Sequence, residues 1–251
     1  SKMSNNTNSI YVGKSNHTIS SKEISGDLVN FQGEEYYKIS NYDNMPPFFM
    51  TVVSFSDHWL FISSNGALSA GRKNPDSSLF PYYTVDKIHD AHENTGSKTI
   101  IIANVQGRKM IWEPFSDRYK GVYDISRNIY KNTAGNKVIF EEINDDLKLT
   151  FRYAWNTSDK YGFVRHSEIV NQNELEIHLE FVDGIQNVLP YGVDRVLQQT
   201  YSNLADGYKK NELLEDTGIG LYMLSSIIVD KAEPSEALKT NVVWSVGLDH
   251  P

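Results

Sequence analysis

The stretch Leu147–Trp155, with the sequence LKLTFRYAW, decides the fold class. Its apolar and aromatic residues occupy every second position, and Lys148, Thr150 and Arg152 stand between them. Successive side chains of a β-strand point to opposite faces, so a period of two predicts a strand with one face in a core and the other toward solvent.

Two further stretches extend this pattern. Leu175–Phe181 (LEIHLEF) alternates in the same way, and its apolar positions, beginning at Leu175 and ending at Phe181, are expected to point inward. In Trp59–Arg72 (WLFISSNGALSAGR) a nearly continuous apolar run meets Asn65-Gly66, a pair that favours a tight hairpin turn. The strand entering that turn is expected to be buried on both faces.

Turn-forming pairs recur between Ile100 and Phe181, which is typical of a meander of antiparallel strands. The sequence therefore predicts an all-β chain, a large antiparallel β-sandwich with at most one or two short helices, of which Val193–Ala205 is the candidate. Residues 1–27, rich in Ser and Asn, are expected to form a flexible lead. Residues 28–251 are expected to form a single domain.

Composition restricts the classes of partner. The 251 residues carry a formal charge of −8, without a basic cluster that would neutralise a phosphate backbone, so nucleic acid is not expected as a partner. The chain has no cysteine, which excludes disulfides and thiolate metal sites. Its apolar runs are too short to cross a membrane, and no cofactor motif occurs. We expect a soluble chain without cofactor, cytoplasmic or periplasmic, and these features do not distinguish the two compartments.

A polar segment follows the aromatic pair Tyr82 and Tyr83. It contains His89, His92 and Glu93, whose order H-x-x-H-E is not that of a zinc protease, and no third ligand is evident. A solvated loop is the favoured interpretation, a contact with a sugar or a partner comes second, and no metal is expected.

Three polar residues share the outward face of Leu175–Phe181, namely Glu176, His178 and Glu180. A carboxylate and a histidine over a sugar are what an aldose epimerase needs to move a proton between the ring oxygen and the anomeric hydroxyl. Any half-solvated strand gives the same alternation, and this plainer interpretation is favoured. The four tryptophans can stack on sugar rings, but at least three are expected in the core.

The segments Pro47–Ile88 and Phe181–Val193 resemble the N-terminal β domain of bacterial glycoside phosphorylase-like proteins of the cellobiose phosphorylase type. Ile62–Arg72 and Phe80–Asp86 correspond to the opening of that domain, a galactose-mutarotase-like supersandwich. In that family an (α/α)6 barrel carrying the catalytic acid follows the sandwich. The resemblance thus implies a carbohydrate partner and a catalytic (α/α)6 domain in the same polypeptide. It allows a homodimer and transfers no catalytic acid to this chain.

Three hypotheses follow. The first is a non-catalytic, carbohydrate-associated sandwich that packs on the catalytic barrel or shapes the entrance to it, with sugar contacts from Arg72 and from the aromatic and polar residues named above. The second is an independent aldose epimerase that uses His178 with Glu176 or Glu180. The third is a structural or adhesion sandwich without a sugar site.

Overall fold

The computed structural model describes residues 7–12, 15–20, 22–54, 57–72, 78–80, 95–118, 121–160, 162–186, 188–189, 209–214, 219–224 and 241–244. For the first two and the last three strands, only the backbone is described. Within these residues the regular structure is almost entirely β, with a single 3-10 turn at Tyr42–Asn44.

The strands, in chain order, are β1 (Thr7–Val12), β2 (Ser15–Ser20), β3 (Ser25–Phe31), β4 (Glu34–Ser40), β5 (Phe49–Val52), β6 (His58–Ser63), β7 (Leu68–Arg72), β8 (Gly96–Val105), β9 (Arg108–Trp112), β10 (Ile125–Asn132), β11 (Lys137–Asn144), β12 (Leu149–Ser158), β13 (Gly162–Asn171), β14 (Leu179–Gln186), β15 (Lys209–Leu214), β16 (Ile219–Leu224) and β17 (Asn241–Trp244).

All strand pairs are antiparallel. The largest sheet has six strands in the order β13-β12-β11-β10-β4-β3. Three-stranded sheets have the orders β5-β6-β7, β14-β8-β9 and β15-β16-β17, and β1 and β2 form a hairpin. The predicted fold class, an all-β antiparallel sandwich, is confirmed.

One core joins the six-stranded sheet to two of the three-stranded sheets. Phe140 and Tyr153, neighbours on β11 and β12, stack with ring centres 5.0 Å apart. They belong to the same buried cluster as Ile62 of the β5-β6-β7 sheet and Ile101 of the β14-β8-β9 sheet. Burial of these apolar side chains is the main force that holds the layer formed by the six-stranded sheet against the layer formed by the two three-stranded sheets.

The predicted strand Leu147–Trp155 is confirmed in outline. Regular pairing begins at Leu149, and all the apolar positions of the alternation are buried. The expected solvent face is wrong, however, because Thr150 is 0% and Ala154 6% exposed. This sheet is therefore covered on much of its outer face as well.

The tip of the β3–β4 hairpin supplies part of that cover. Phe31, at the end of β3, stacks on Tyr130 of β10 at 4.9 Å, and its ring lies 5.1 Å from the Arg152 guanidinium on β12. Gln32 Nε2 donates to Glu168 Oε1 on β13 at 3.2 Å. Since β3 and β13 are opposite edges of the sheet, the hairpin tip must reach across the outer face.

The expected strand Leu175–Phe181 is wrong in its boundary, and its side-chain directions are confirmed only in the middle, where Ile177 and Leu179 pack against the core and the polar residues beside them are exposed. Pairing begins at Leu179, and Leu175 and Phe181 are 79% and 44% exposed. The preceding strand β13 belongs to the six-stranded sheet and β14 to the opposite layer, so residues 172–178 form the crossing between layers. Asn173 fixes this crossing, because its side-chain amide donates to Leu147 O at 3.0 Å.

Two of the predicted turns are confirmed. Gly66 takes φ +89° in the β6–β7 turn, and Gln106-Gly107 joins β8 to β9 with positive φ at both residues. Strand β6 is not buried on both faces as expected, since Phe61 is 45% exposed. The helix predicted at 193–205 lies outside the described residues.

Candidate functional site

A small polar pocket lies where three segments meet above Tyr153 of β12. These segments are the β6–β7 turn, the start of β8 and the loop after β9. The pocket has a volume of about 20 Å³, enough for one water-sized group but not for a sugar ring. The polar residues that line it are Asn65, Ser97, Lys98, Thr99, Ser116 and Tyr153.

The β6–β7 turn requires glycine at position 66 for two reasons. Its φ of +89° is strained for any residue with a Cβ. A Cβ at this position would also lie 3.0 Å from the Tyr153 hydroxyl oxygen, inside the pocket. Asn65 fixes the turn, since its Oδ1 accepts from Ala67 N at 3.1 Å. Glycine at position 66 therefore leaves room for the Tyr153 hydroxyl, which is hydrogen-bonded to Ser97 in a residue only 3% exposed.

The β8 side of the pocket is held by a largely buried ion pair. Asp183 of β14 accepts from Arg165 Nη1 and Nη2 of β13 at 2.8 and 2.9 Å, from Ser167 Oγ at 2.5 Å and from Thr99 Oγ1 at 2.6 Å. Arg165 Nε donates to Ser97 Oγ at 2.9 Å. Burial opposes ionisation of Asp183, but hydrogen bonds and charge from Arg165, with the two hydroxyls, lower its pKa.

Tyr153 forms the floor of the pocket. The Arg165 guanidinium carbon lies 4.9 Å from its ring centre. Burial raises the pKa of Tyr153 above its usual value, and this outweighs the opposing charges of Arg165 and Arg127. The phenol therefore stays protonated at neutral pH.

The loop after β9 is fixed from behind by Glu142 of β11. Its carboxylate accepts from Trp112 Nε1 at 2.6 Å, from Phe115 N at 3.0 Å and from Arg127 Nε at 2.7 Å. Arg127 Nη2 also donates to Ser116 O at 3.0 Å. Phe115 has φ +65°, a conformation that costs about 1 kcal/mol or more in a residue with a side chain. These bonds hold the strained loop against the pocket.

Three buried glutamates of the described residues each form an ion pair with a lysine or an arginine. Glu113 pairs with Lys98, Glu141 with Arg152 Nε at 2.6 Å, and Glu142 with Arg127. The described residues also contain no group of His, Asp and Glu placed to hold a metal.

The candidate epimerase residues lie on an exposed edge. His178 and Glu180 have side chains 75% and 53% exposed, and His178 Nε2 is 3.9 Å from Glu180 Oε1. Lys109 Nζ approaches the same oxygen of Glu180 at 3.3 Å. Glu176 is also exposed and lies before the strand begins. None of the three lines the pocket.

Arg72, at the end of β7, is held by a neighbouring carboxylate. Its Nε and Nη2 donate to Asp57 Oδ1 at 3.1 and 3.0 Å, and its side chain is 61% exposed. It does not line the pocket. The other predicted sugar contacts lie outside the described residues, namely Tyr82, Tyr83, His89, His92 and Glu93.

Among the tryptophans, Trp112 and Trp155 are in the core as predicted. Trp59 is half-buried, and the side chain of Trp244 lies outside the described residues. The pocket residues contributed by β8 and the loop after β9 were missed. Only the Asn65-Gly66 turn was visible in the sequence, because the other segments meet it through tertiary packing.

No model of a known protein family matches this chain, and neither does any curated protein. In the described part of the chain no helix is long and apolar enough to span a bilayer. The resemblance to glycoside phosphorylase-like proteins stays a hypothesis.

Proposed function

We propose that this chain is a non-catalytic, carbohydrate-associated β-sandwich, which binds a single hydroxyl or hydroxymethyl group of a saccharide in the polar pocket. The observation that supports this best is the set of residues around the pocket, which includes four with a side-chain hydroxyl, namely Ser97, Thr99, Ser116 and Tyr153. Hydroxyl groups both donate and accept hydrogen bonds, which suits an uncharged saccharide hydroxyl. The sugar ring itself stays outside, because the volume of about 20 Å³ admits only one such group.

The sandwich architecture supports the wider context of this proposal. It agrees with the supersandwich implied by the resemblance, in which the β domain packs beside an (α/α)6 catalytic domain of the same polypeptide. The pairing of each buried glutamate with a cation supports a non-catalytic role. In this context the pocket holds one end of a saccharide near a catalytic entrance provided by the other domain.

A pair of glycine variants tests the pocket. Gly66→Ala adds a methyl group 3.0 Å from the Tyr153 hydroxyl, whereas Gly107→Ala adds one with no atom within 4 Å. Both glycines have positive φ, +89° and +78°, so both variants carry comparable backbone strain. Ser116→Ala removes one pocket hydroxyl without this strain.

Binding of glucose, galactose and cellobiose is measured by saturation-transfer NMR and calorimetry. We expect wild type and Gly107→Ala to bind at least one of them, Gly66→Ala to lose binding, and Ser116→Ala to bind about tenfold more weakly, the loss of one hydrogen bond of about 1 kcal/mol or slightly more. Absence of binding by wild type, or equal binding by all variants, would contradict the proposal.

The epimerase hypothesis is kept as a second candidate because His178 and Glu180 lie 3.9 Å apart on the surface. Polarimetry of glucose and galactose mutarotation distinguishes it. We expect no acceleration by wild type over buffer. Acceleration that disappears in His178→Ala would favour the epimerase and overturn the non-catalytic role.

A further inference from the structure

The solvent-facing side of the β14-β8-β9 sheet carries a contiguous aliphatic patch, composed of Ile100, Ile102, Ile111 and Val182. Ile111 and Val182 are 45% and 71% exposed, and Ile100 and Ile102 are half-buried. An antiparallel sheet with one face in water ordinarily presents polar side chains there. Four β-branched side chains on that face indicate an interaction surface.

The strand register makes the patch continuous. Ile102 is directly opposite Ile111 on β9, and Ile100 is directly opposite Val182 on β14. The alternate residues Ile101 and Ala103 point into the core and are fully buried. The patch therefore crosses all three strands of the sheet.

Oppositely charged pairs flank the patch at both ends. Lys109 Nζ lies 3.3 Å from Glu180 Oε1 at one end, and Lys98 pairs with Glu113 at the other. The side chain of Glu113 is only 4% exposed, so the end with Lys109 and Glu180, which are 68% and 53% exposed, is the one that presents both a cation and an anion. A surface that carries both signs complements a copy of itself, whereas a partner of one charge would leave half of these groups unmatched.

A twofold axis parallel to β8 places β9 of one copy over β14 of the other. These are the strands that carry Lys109 and Glu180. We infer that a second copy of this chain binds to the aliphatic patch, forming a face-to-face dimer across the β14-β8-β9 sheet. This inference goes beyond the proposed function and does not depend on saccharide binding.

The size of the sheet sets the expected strength. Strands β8, β14 and β9 have 10, 8 and 5 residues, so at about 3.4 Å per residue and about 4.8 Å between strands they present roughly 380 Å² per copy. A standard stable interface buries about 800 Å² per partner. The dimer is therefore expected to be weak and to form in the high-micromolar range, with contacts beyond the sheet needed for tighter association.

Sedimentation equilibrium of the full chain from micromolar to millimolar concentration tests the inference. We expect wild type to show a monomer–dimer equilibrium. Val182→Asp places a charge within the patch, at its most exposed residue, and is expected to leave only monomer. Leu28→Asp is the matched control, since Leu28 is 65% exposed on β3, which is not part of this sheet, and this variant should dimerise like wild type.

Mixing two charge-reversed variants supplies the sharper test. Lys109→Glu and Glu180→Lys each place like charges against each other in their own homodimers, so each should self-associate about tenfold or more weakly. In an equimolar mixture the heterodimer restores opposite charges in both contacts between residues 109 and 180, and association should return toward the wild-type level. If the substitutions weakened association only by disturbing the fold of their own chain, mixing the two variants would not restore it.

Three results would overturn the inference. They are a wild type that stays monomeric up to millimolar concentration, a Val182→Asp variant that dimerises like wild type, and a mixture that associates no better than its components. Circular dichroism of each variant separates loss of the interface from loss of the fold.

Discussion

Replacing Asp183 by Asn tests the ion pair that holds β13 against β14. The carboxylate accepts four hydrogen bonds, two of them from Arg165. The amide of asparagine has one accepting oxygen, so it can replace only part of these bonds. Its NH2 group would face the donors that bind the second carboxylate oxygen of Asp183. The variant therefore leaves Arg165 with a buried charge that has no counterion.

The magnitude follows from burial. Removing one partner of a buried ion pair costs about 3–5 kcal/mol. The side chains of Arg165 and Asp183 are each 10% exposed, so we expect the lower end, about 3 kcal/mol. For a chain of this size about 3 kcal/mol lowers the Tm by roughly 6–12 °C.

Urea titration and thermal melting followed by circular dichroism measure the loss. Asp57→Asn is the matched control, because Asp57 also pairs with an arginine, Arg72, but at the surface. Its effect should be a small fraction of that of Asp183→Asn, since solvent screens exposed ion pairs. If the two variants were equally stable, the ion pair would not hold the two strands together.

The pH dependence gives an independent check. The pKa of Asp183 is lower in the folded chain than in the unfolded chain, so its stabilisation is complete above the ordinary aspartate pKa of about 3.9. It is lost as the pH falls through the lowered pKa. The difference in unfolding free energy between wild type and Asp183→Asn should be constant near neutrality and decrease below about pH 4. A difference that grows in acid would refute the assignment.

Three further substitutions are predicted to destabilise the chain, each measured by urea unfolding. Phe140→Ala empties a fully buried site and should cost about 3–5 kcal/mol, against less than about 1.5 for Phe140→Leu. Glu142→Gln should cost about 3 kcal/mol, because Arg127 loses its buried counterion. Gly96→Ala places a Cβ 2.7 Å from Leu68 Cδ2 at φ +89°, and should destabilise more than Gly121→Ala, where φ is +81° and the space is open.

The candidate site was only partly predictable. Asn65-Gly66 was visible because a turn depends on adjacent residues. Ser97 and Ser116 carry no local signal, and they meet this turn only because the loop after β9 is fixed by Glu142 and β8 by Arg165 and Asp183. The ion pair joins strands from different sheets, a contact that periodicity does not encode.

The sequence by itself determined the strand type, the main turns and the inner face of β12, because these depend on side-chain alternation within a few residues. Tertiary structure decided how the faces were used. Ala154 is buried because the β3–β4 hairpin, with Val29 and Phe31, packs over it, and Leu175 is exposed because the chain crosses there from one layer to the other. Alternation distinguishes the two faces of a strand, but only packing between distant segments determines which faces are covered.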